Sequence, residues 1–418
     1  MNNADSALLR PDAERLWSDI MDLATITDQD SPGWTREVFS DPYKASRSWT
    51  LNRMRDAGLQ AHIDGAGNIV GRLPGTNPNA PAIVTGSHTD TVHSGGRFDG
   101  IVGVLGAIEA ARILQESGTR LTSDLIVMDF LGEEANGFGV SCVGSRAVAG
   151  VLDPAHLSRQ DATGRSMGQA IADFGADPNQ AVSMAWNPRD IKSYIELHVE
   201  QGPMLERSGS QIGVVTSIAG IERVMAAFTG RADHAGTTPM DQRADALLAA
   251  AEAILTVERV GCGAPVHGVS TTGRIATGHG AFNVVPDSAT IWAEIRSIDP
   301  GWLSGARRSI AEKIAVDAAR RGVDVAIDLL NDQEPVPAAQ TMQDTVAAAS
   351  DDLGYSWEAV PSGAGHDAAH MAHLGPMGMI FVPSQAGRSH CPDEFTDQVQ
   401  LSNGVHVLAN TIRRLDLA

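Results

Sequence analysis

The sequence predicts an α/β fold in which a smaller α+β domain is inserted into a larger domain. Length is the first reason, because 418 residues exceed what one ordinary hydrophobic core accommodates. The second reason is a change of pattern along the chain. Apolar, β-branched segments alternate with helical stretches towards both ends, whereas the middle of the chain follows a different order of elements.

Four segments outside the middle of the chain are strand-like in length and composition: "APAIVT", "DLIVMDFL", "SYIELHV" and "GMIFVP". The stretch "DGIVGVLGAIEAARILQESG" between them is predicted to be a helix, because Ile101, Val104, Leu105 and Ile108 fall on one face. Strands that alternate with helices favour a buried, mostly parallel sheet. We assign residues 1–212 and 331–418 to this larger domain.

Residues 213–330 are predicted to form the inserted domain. Four strand-like segments occur here: "IERVMAAFTG", "GVSTTGRIAT", "ATIWAEIRSID" and "VDVAIDLL". Helices are predicted over "TTPMDQRADALLAAAEAIL", opened by Thr238 and Pro239, and over "SGARRSIAEKIAVDAARRG". The resulting order, β-α-β-β-α-β, is that of the split ferredoxin-like unit.

Charge and cysteine usage exclude several classes of protein. The formal charge is −20, from 51 acidic and 31 basic residues, and no Lys/Arg-rich run is present. This balance argues against binding to nucleic acid or to an anionic membrane. Cys142, Cys262 and Cys391 are too few and too widely spaced for a disulfide framework. The N-terminus lacks the pattern of a signal peptide and no apolar run reaches about 20 residues, so we expect a cytoplasmic protein.

Polar residues of metal-ligating type follow each of the four strands of the larger domain. In open α/β sheets ligands bind beyond the carboxyl ends of strands, so these residues are expected to share one edge. Two histidines and a carboxylate could bind one divalent ion, and a larger set bridged by Asp99 could bind two. Zinc, manganese, cobalt and nickel suit such ligands. The residues concerned are His88, Asp90, Asp99, Glu133, Glu134, His198, Glu200, Gln201 and His390.

Each of these residues also has an ordinary structural interpretation. A single histidine at a strand end is more often solvated or hydrogen-bonded than bound to metal, and adjacent glutamates are usually a surface pair. A second histidine set, His366, His370 and His373 in "GHDAAHMAH", is spaced for one helical face, but Asp367 replaces the glutamate of an HExxH site. We expect His366 to lie either behind the metal ligands or on the substrate side, and His370 and His373 to lie on a helix surface.

Several motifs resemble those of the metallopeptidase-like amidohydrolases, the family that includes N-carbamoyl-L-amino acid hydrolase, β-ureidopropionase and allantoate amidohydrolase. The resemblance runs from about residue 86 to residue 396. It rests on "GSHTDTVHSGGRFDG", "GEEANGFGVSCVGSRA", "ELHVEQGPMLE", "GRADHAGTTPM", "NVVPD", "PSGAGHDAAHMA" and "MIFVPSQAGRSHCPDEFT". It implies a metallopeptidase-like larger domain and an inserted domain that serves as lid and dimerisation domain.

The resemblance implies two divalent ions per subunit. His88 and His198 would hold one ion, Glu134 and His390 the other, and Asp99 would bridge them. Asp90 would accept the second ring N–H of His88. Glu133 would act as general base towards a water whose pKa the ions lower.

For the substrate, the resemblance implies a small-molecule carboxylate. His234 would stabilise the oxyanion from the neighbouring subunit of a homodimer. Arg296 would bind the substrate carboxylate, although its structural alternative is a salt bridge with Glu294. Gln201, Asn283 and backbone N–H groups near Gly365 would complete the site.

The implied reaction is hydrolysis of a linear ureido C–N bond, from an N-carbamoyl-L-amino acid to the amino acid, ammonia and carbon dioxide. Allantoate amidohydrolase and β-ureidopropionase are the alternatives within the family, and an aminoacylase or dipeptidase is the alternative outside it. A metal-free binding protein that kept the fold and a zinc-dependent nucleic-acid protein are alternatives of other classes. The complete set of ligand-type residues argues against the first, and the charge of −20 against the second.

Overall fold

The computed structural model describes residues 9–265, 267–278 and 280–418, with all their side chains except those of residues 331 and 332. The N-terminal segment predicted to lack a signal peptide begins with residues 1–8, which lie outside the described residues. The described chain forms two compact units. The first contains the residues up to Thr216, with Ala338–Val360 and His366–Ala418, and the second contains Ser217–Pro337 and Pro361–Gly365.

The strands are numbered here in chain order. They are β1 (Gln60–Ile63), β2 (Ile69–Leu73), β3 (Ala82–His88), β4 (Leu125–Phe130), β5 (Ile191–Val199), β6 (Ile212–Ile218), β7 (Gly220–Thr229), β8 (Asp233–His234), β9 (Val269–Thr277), β10 (Val284–Val285), β11 (Ser288–Ser297), β12 (Asp324–Gln333), β13 (Val336–Pro337), β14 (Trp357–Ser362) and β15 (Met377–Val382).

The α-helices follow the same numbering. They are α1 (Ala13–Ala24), α2 (Asp41–Asp56), α3 (Ile101–Glu116), α4 (Val143–Ala149), α5 (Pro154–Ser158), α6 (Met167–Phe174), α7 (Pro178–Ala181), α8 (Met204–Ser208), α9 (Ala246–Cys262), α10 (Pro300–Arg320), α11 (Gln340–Leu353), α12 (Asp367–Met371) and α13 (Gln398–Leu417). Short 3₁₀ helices span Pro188–Asp190, Met240–Gln242 and Gln385–Gly387.

The first unit is built on a mixed sheet, which confirms the predicted α/β class. Its strand order is β1-β2-β4-β3-β5-β15-β6, with β14 beside β6. The four strands predicted from their apolar composition, β3, β4, β5 and β15, pair in parallel. Antiparallel pairs join β1 to β2, β2 to β4 and β6 to β15. Helix α3 is apolar on nearly every side because the sheet and α13 both cover it. The parallel strands therefore end at one edge of a fully buried layer.

The second unit has the predicted order of strands and helices, β7-α9-β9-β11-α10-β12. Its four main strands form an antiparallel sheet in the order β12-β7-β11-β9. Apolar residues from β7 and β11 pack against both long helices, as Phe228, Ile291, Ala250 and Ile310 show. This arrangement is that of a ferredoxin-like unit.

The predicted start of helix α9 at Thr238 and Pro239 is wrong. The helix begins at Ala246, and the Asp245 carboxylate caps it by accepting the backbone N–H groups of Leu247 and Leu248. The preceding residues are instead held as a loop, because the Arg243 guanidinium donates to the carbonyls of Ala235 and Thr238.

The predicted domain boundaries at 213 and 330 stay a prediction, since compactness alone does not show that a segment folds independently. Among the described residues, the helices lack the combination of length and apolar character that crossing a membrane requires.

Candidate metal centre

The polar residues predicted to share one edge of the sheet lie at the ends of the parallel strands of the first unit. His88 is the last residue of β3, and His198 is the penultimate residue of β5. Glu133 and Glu134 follow β4, and His390 follows β15. The pairing of His88 with Phe130 and of His198 with Phe381 sets these strand ends side by side.

Asp99 lies between two groups of ligand-type side chains. Its Oδ1 atom is 3.2 Å from His198 Nε2 and 3.7 Å from His88 Nε2. Its Oδ2 atom is 3.3 Å from His390 Nε2, which is also 3.5 Å from Glu134 Oε1. Each carboxylate oxygen of Asp99 thus faces a different pair of side chains, as a bridging ligand requires.

Backbone carbonyls orient the two buried histidine rings. His88 Nδ1 lies 3.0 Å from the Asp90 carbonyl oxygen, and His198 Nδ1 lies 2.9 Å from that of Val199. A carbonyl can only accept, so each Nδ1 carries a proton and donates it. His198 Nε2 also accepts the Gly100 backbone N–H at 3.1 Å. Both Nε2 atoms point towards Asp99.

The Asp90 carboxylate lies beside the His88 ring, as expected, but its shorter contacts are with backbone groups. The nearer carboxylate oxygen, Oδ1, is 3.6 Å from His88 Nδ1. The carboxylate accepts the backbone N–H groups of Glu133 at 3.2 Å and of Glu134 at 3.0 Å. These two N–H groups occupy the carboxylate because the turn after β4 has no strand partner for them. Asp90 therefore joins the turn after β3 to the turn after β4.

A glycine makes room for the His88 ring. Gly100 has φ +69°, and a Cβ atom there would lie 2.3 Å from His88 Cε1. Any side chain at this position would displace the ring, and a non-glycine residue would also adopt this left-handed backbone at a cost. Gln201 and His390 do adopt left-handed backbone, with φ of 57° and 56°. Such conformations cluster at functional sites.

Burial and ion pairing shift the pKa values of the carboxylates and imidazoles in the cluster. Burial raises the pKa of the Glu133 carboxyl well above its ordinary value, and it raises the pKa of Glu134 to about 7. The contact with Asp99 raises the pKa of the half-exposed His390 to about 9. Burial would raise the pKa of Asp99, but His198 and His390 outweigh it and hold this pKa well below its ordinary value.

The donor set fits a divalent cation. Ligand atoms of His88, Asp99 and His198 lie within 4.8 Å of one another, as do those of Asp99, Glu134 and His390. Neutral imidazole and carboxylate ligands suit zinc and its neighbours in the first transition series. A cation would also compensate the carboxylates of Asp99, Glu133 and Glu134, which are at most 7% exposed.

Comparison with known proteins identifies the family. The sequence profile of Peptidase family M20/M25/M40 matches residues 84–414. The chain belongs to this family. An N-carbamoyl-L-amino-acid amidohydrolase of Paenarthrobacter aurescens is 38% identical over 98% of this chain and 99% of its own length. A ureidoglycolate hydrolase of Arabidopsis thaliana is 36% identical over 98% and 88%, respectively.

A solved structure agrees with these relatives. An amidase of the hydantoinase/carbamoylase family from Burkholderia vietnamiensis is 33% identical, with a TM-score of 0.89 over 98% of both chains. The predicted resemblance to amidohydrolases and the predicted enzyme class, a hydrolase of carbon–nitrogen bonds, are confirmed. Family membership and the clustered ligands together support a divalent-metal site in this M20 family chain.

Sequence reasoning missed three contacts that hold Asp99. Gln201, expected to bind substrate, donates from Nε2 to Asp99 Oδ2 at 2.6 Å, and its Oε1 has no hydrogen-bond partner among the described residues. Ser389 Oγ lies 2.7 Å from Asp99 Oδ2. Glu394, which is 1% exposed, accepts the backbone N–H groups of Phe98 and Asp99. The motif "CPDEFT" contains Glu394, but nothing in its spacing points to this contact.

The remaining predicted substrate residues lie in the second unit. His234 and Asn283 are exposed on adjacent chain segments, joined by the Ala235 N–H donating to the Asn283 carbonyl at 3.0 Å. Arg296 is half-buried, donates to Glu294 at 2.6 Å and donates to the Gly363 carbonyl, two residues from Gly365. The structural alternative for Arg296, a salt bridge with Glu294, is therefore formed.

The second histidine set departs from its prediction. Helix α12 covers only Asp367–Met371, so His366 precedes it and His373 follows it. His370 is 5% exposed rather than on a helix surface, and burial lowers its pKa well below its ordinary value. The centroid of the His366 ring lies 4.6 Å from the centroid of the His198 ring. The three histidines therefore do not form one chelating face.

Proposed function

We propose that this chain hydrolyses the ureido C–N bond of an N-carbamoyl-L-amino acid. Water cleaves the carbamoyl group from the amino nitrogen, and the products are the amino acid, ammonia and carbon dioxide. The observation that carries the proposal is the position of Asp99 between two ligand groups beside Glu133. The relatives supply the choice of substrate class.

Two divalent ions per subunit complete the proposed site, with zinc, manganese, cobalt or nickel as the candidates. His88 and His198 would hold one ion, Glu134 and His390 the other, and Asp99 both. Bound ions would polarise the substrate carbonyl and lower the pKa of a water. The carbonyl contacts of His88 and His198 support these roles, because they orient each ring with its Nε2 towards Asp99.

Glu133 is the proposed general base. Its Oε2 atom lies 3.7 Å from His88 Nε2, so the carboxylate faces the ligand cluster. It would take a proton from the attacking water and deliver it to the leaving nitrogen. The Glu133 backbone N–H donates to the Asp90 carboxylate. Asp90 is therefore proposed to position the general base in addition to joining the turn after β3 to it.

The second unit is proposed to bind the substrate carboxylate. Arg296 is the proposed carboxylate ligand, with Asn283, Gln201 and backbone N–H groups near Gly365 as further donors. His234 is proposed to act across the interface of a homodimer and to stabilise the oxyanion. The resemblance supports these roles. The ion pair between Arg296 and Glu294 means that a substrate carboxylate would compete with an existing partner.

A second candidate function is hydrolysis of ureidoglycolate or allantoate. The observation that favours it is the Arabidopsis ureidoglycolate hydrolase, which is 36% identical to this chain. These substrates carry the same ureido and carboxylate groups, so the metal centre does not distinguish them. β-Ureidopropionase, aminoacylase and dipeptidase activities remain alternatives of the same chemistry.

Ammonia release from a substrate panel tests the proposal. The protein is stripped with a chelator, reloaded with each divalent ion and assayed with N-carbamoyl-L- and D-amino acids, N-carbamoyl-β-alanine, allantoate and ureidoglycolate. N-acetyl amino acids and dipeptides are assayed in parallel for release of the free amino acid. The highest kcat/KM is expected for an N-carbamoyl-L-amino acid, with Glu133→Gln lowering kcat roughly 10²–10⁴-fold. A higher kcat/KM for ureidoglycolate or allantoate would establish the second candidate instead.

A further inference from the structure

Arg36 is a fully buried arginine in the N-terminal part of the first unit, outside the residues 84–414 that the family profile matches. Its guanidinium donates to three backbone carbonyls: Thr89 at 2.7 Å, Ile26 at 2.9 Å and Leu23 at 3.3 Å. Two of these carbonyls belong to the C-terminal end of α1 and the residues after it. The third belongs to the turn that follows the metal-ligand candidate His88.

The backbone of Arg36 holds the same turn from a second side. Its N–H donates to Thr91 Oγ1 at 2.8 Å, and the Thr91 N–H donates to the Arg36 carbonyl at 3.1 Å. Arg36 therefore forms hydrogen bonds with both residues that flank Asp90, Thr89 and Thr91. Asp90 in turn accepts the N–H groups of Glu133 and Glu134 and offers its carbonyl to His88 Nδ1. Arg36 is thus linked to three residues of the site through one turn, by its guanidinium at Thr89 and by its backbone at Thr91.

The charges around Arg36 explain how a buried guanidinium is tolerated. Burial lowers the pKa of Arg36 to about 10, and the carboxylates of Asp129 and Asp90 oppose that shift. Asp129 is itself tied to the turn, because Thr89 Oγ1 lies 3.0 Å from its Oδ2, and it pairs with the buried Arg47 at 3.1 Å. Removal of a buried cation leaves its carboxylate partners uncompensated and is therefore costly.

We propose that Arg36 is a positioning residue of the metal centre, which fixes the Thr89–Thr91 turn and so places His88, Glu133 and Glu134. The inference rests on the proposed function only in requiring that these residues surround a divalent ion. A residue that merely filled the core would affect unfolding and leave the affinity for metal unchanged. Metal affinity is therefore the quantity that separates the two roles.

The experiment measures the Kd for zinc and for manganese by competition with a chromophoric chelator, beside the Tm of each metal-free protein. The variants are Arg36→Met, which keeps the length of the side chain without its donors, and Arg36→Lys, which keeps the charge. Arg112→Met is the matched control, because Arg112 is a mostly buried arginine that pairs with Asp19 at 2.7 Å in α1. Its ion-pair partners among the described residues, Asp19 and Glu109, both lie outside the candidate site.

We expect Arg36→Met to raise the Kd about 10- to 100-fold, the usual range for residues that orient metal ligands, and Arg36→Lys to recover part of the affinity. Arg112→Met should lower the Tm with no change in Kd. Equal Kd values for Arg36→Met and Arg112→Met would overturn the inference. Absence of divalent-ion binding by the wild-type protein would instead contradict the proposed function.

If Arg36→Met does not fold, a more conservative variant is needed to test the same turn. Thr91→Val keeps the shape of the residue and deletes the hydroxyl that accepts the Arg36 N–H. A raised Kd in Thr91→Val and Arg36→Lys supports the inference, and wild-type Kd values in both overturn it.

Discussion

The residues proposed to bind metal and those proposed to bind substrate have contrasting surroundings. In the first unit, His88 and His198 are 1% exposed and donate to backbone carbonyls. Asp99 is 5% exposed and accepts a hydrogen bond from Gln201. In the second unit, His234 and Asn283 are exposed to solvent. His390 is the exception in the first unit, with a side chain that is 49% exposed.

This contrast shows where structure alone is informative about chemistry. Buried carboxylates and imidazoles need compensation, so their convergence points to a cation. Exposed side chains such as His234 are already solvated and carry no such requirement. The metal-ligand roles are thus supported by the energetics of the fold, whereas the substrate roles are supported by the resemblance.

The largest effect is expected at the most central buried residue. Asp99→Asn keeps the shape of the side chain but removes the charge shared by both ligand groups, so metal affinity should fall at least ~100-fold and activity with it. Asp19→Asn is the matched control, since Asp19 is also buried and pairs with Arg112 and Arg53. Metal content and ammonia release are measured for both. Retention of two ions by Asp99→Asn would contradict the bridging role.

An intermediate effect is expected in the second unit. Arg296→Ala should raise KM roughly 10- to 100-fold, the loss that corresponds to hydrogen bonds with a charged group, while kcat and metal content stay unchanged. Arg223→Ala is the control, because Arg223 also pairs with Glu294, at 3.2 Å. If both variants raise KM equally, the ion pairs with Glu294 determine KM, and Arg296 is not a specific ligand of the substrate carboxylate. Loss of metal from Arg296→Ala would remove the contrast between the two units.

The smallest effect is expected in the pH dependence of the stability of the metal-free protein. The pKa values of Glu134, about 7, and His390, about 9, both exceed their ordinary values of 4.5 and 6.5. Their protonated forms are favoured by the fold, so their contribution to stability is complete below the ordinary pKa values and is lost as pH rises through about 7 and about 9. A bound cation displaces these protons, and metal affinity should therefore rise between pH 6 and pH 9.

Calorimetry of metal binding in buffers of different ionisation enthalpy measures these protons. More protons should be released at pH 6.5 than at pH 9.5. Asp99 contributes none, because its pKa lies well below its ordinary value. Proton release that does not change with pH would show that Glu134 and His390 do not take part in binding.

Much of the fold and the position of the site could be predicted from local sequence. The strands β3, β4, β5 and β15 are short apolar runs, and ligand-type residues such as His88 and Glu134 follow them, so their convergence follows from the topology of parallel sheets. The ferredoxin-like order of the second unit was equally visible, because each element there has a clear period of its own.

The polar contacts behind the site could not be predicted, because hydropathy patterns report which face is buried and not which polar atoms meet. Arg36 and Glu394 contact residues far away in sequence, and no periodicity marks them. The sequence predicts that the Asp90 carboxylate lies near the His88 ring, but not that it also accepts two backbone N–H groups. His370 was placed on a surface from helical spacing, but the helix has only five residues and lies in the interior.

Anomalous diffraction from crystals grown with zinc or manganese tests the central claim most directly. We expect two peaks per subunit, one in contact with His88 and His198 and the other with Glu134 and His390, with Asp99 contacting both. Peaks confined to other residues, or a single peak that Asp99 does not touch, would contradict it.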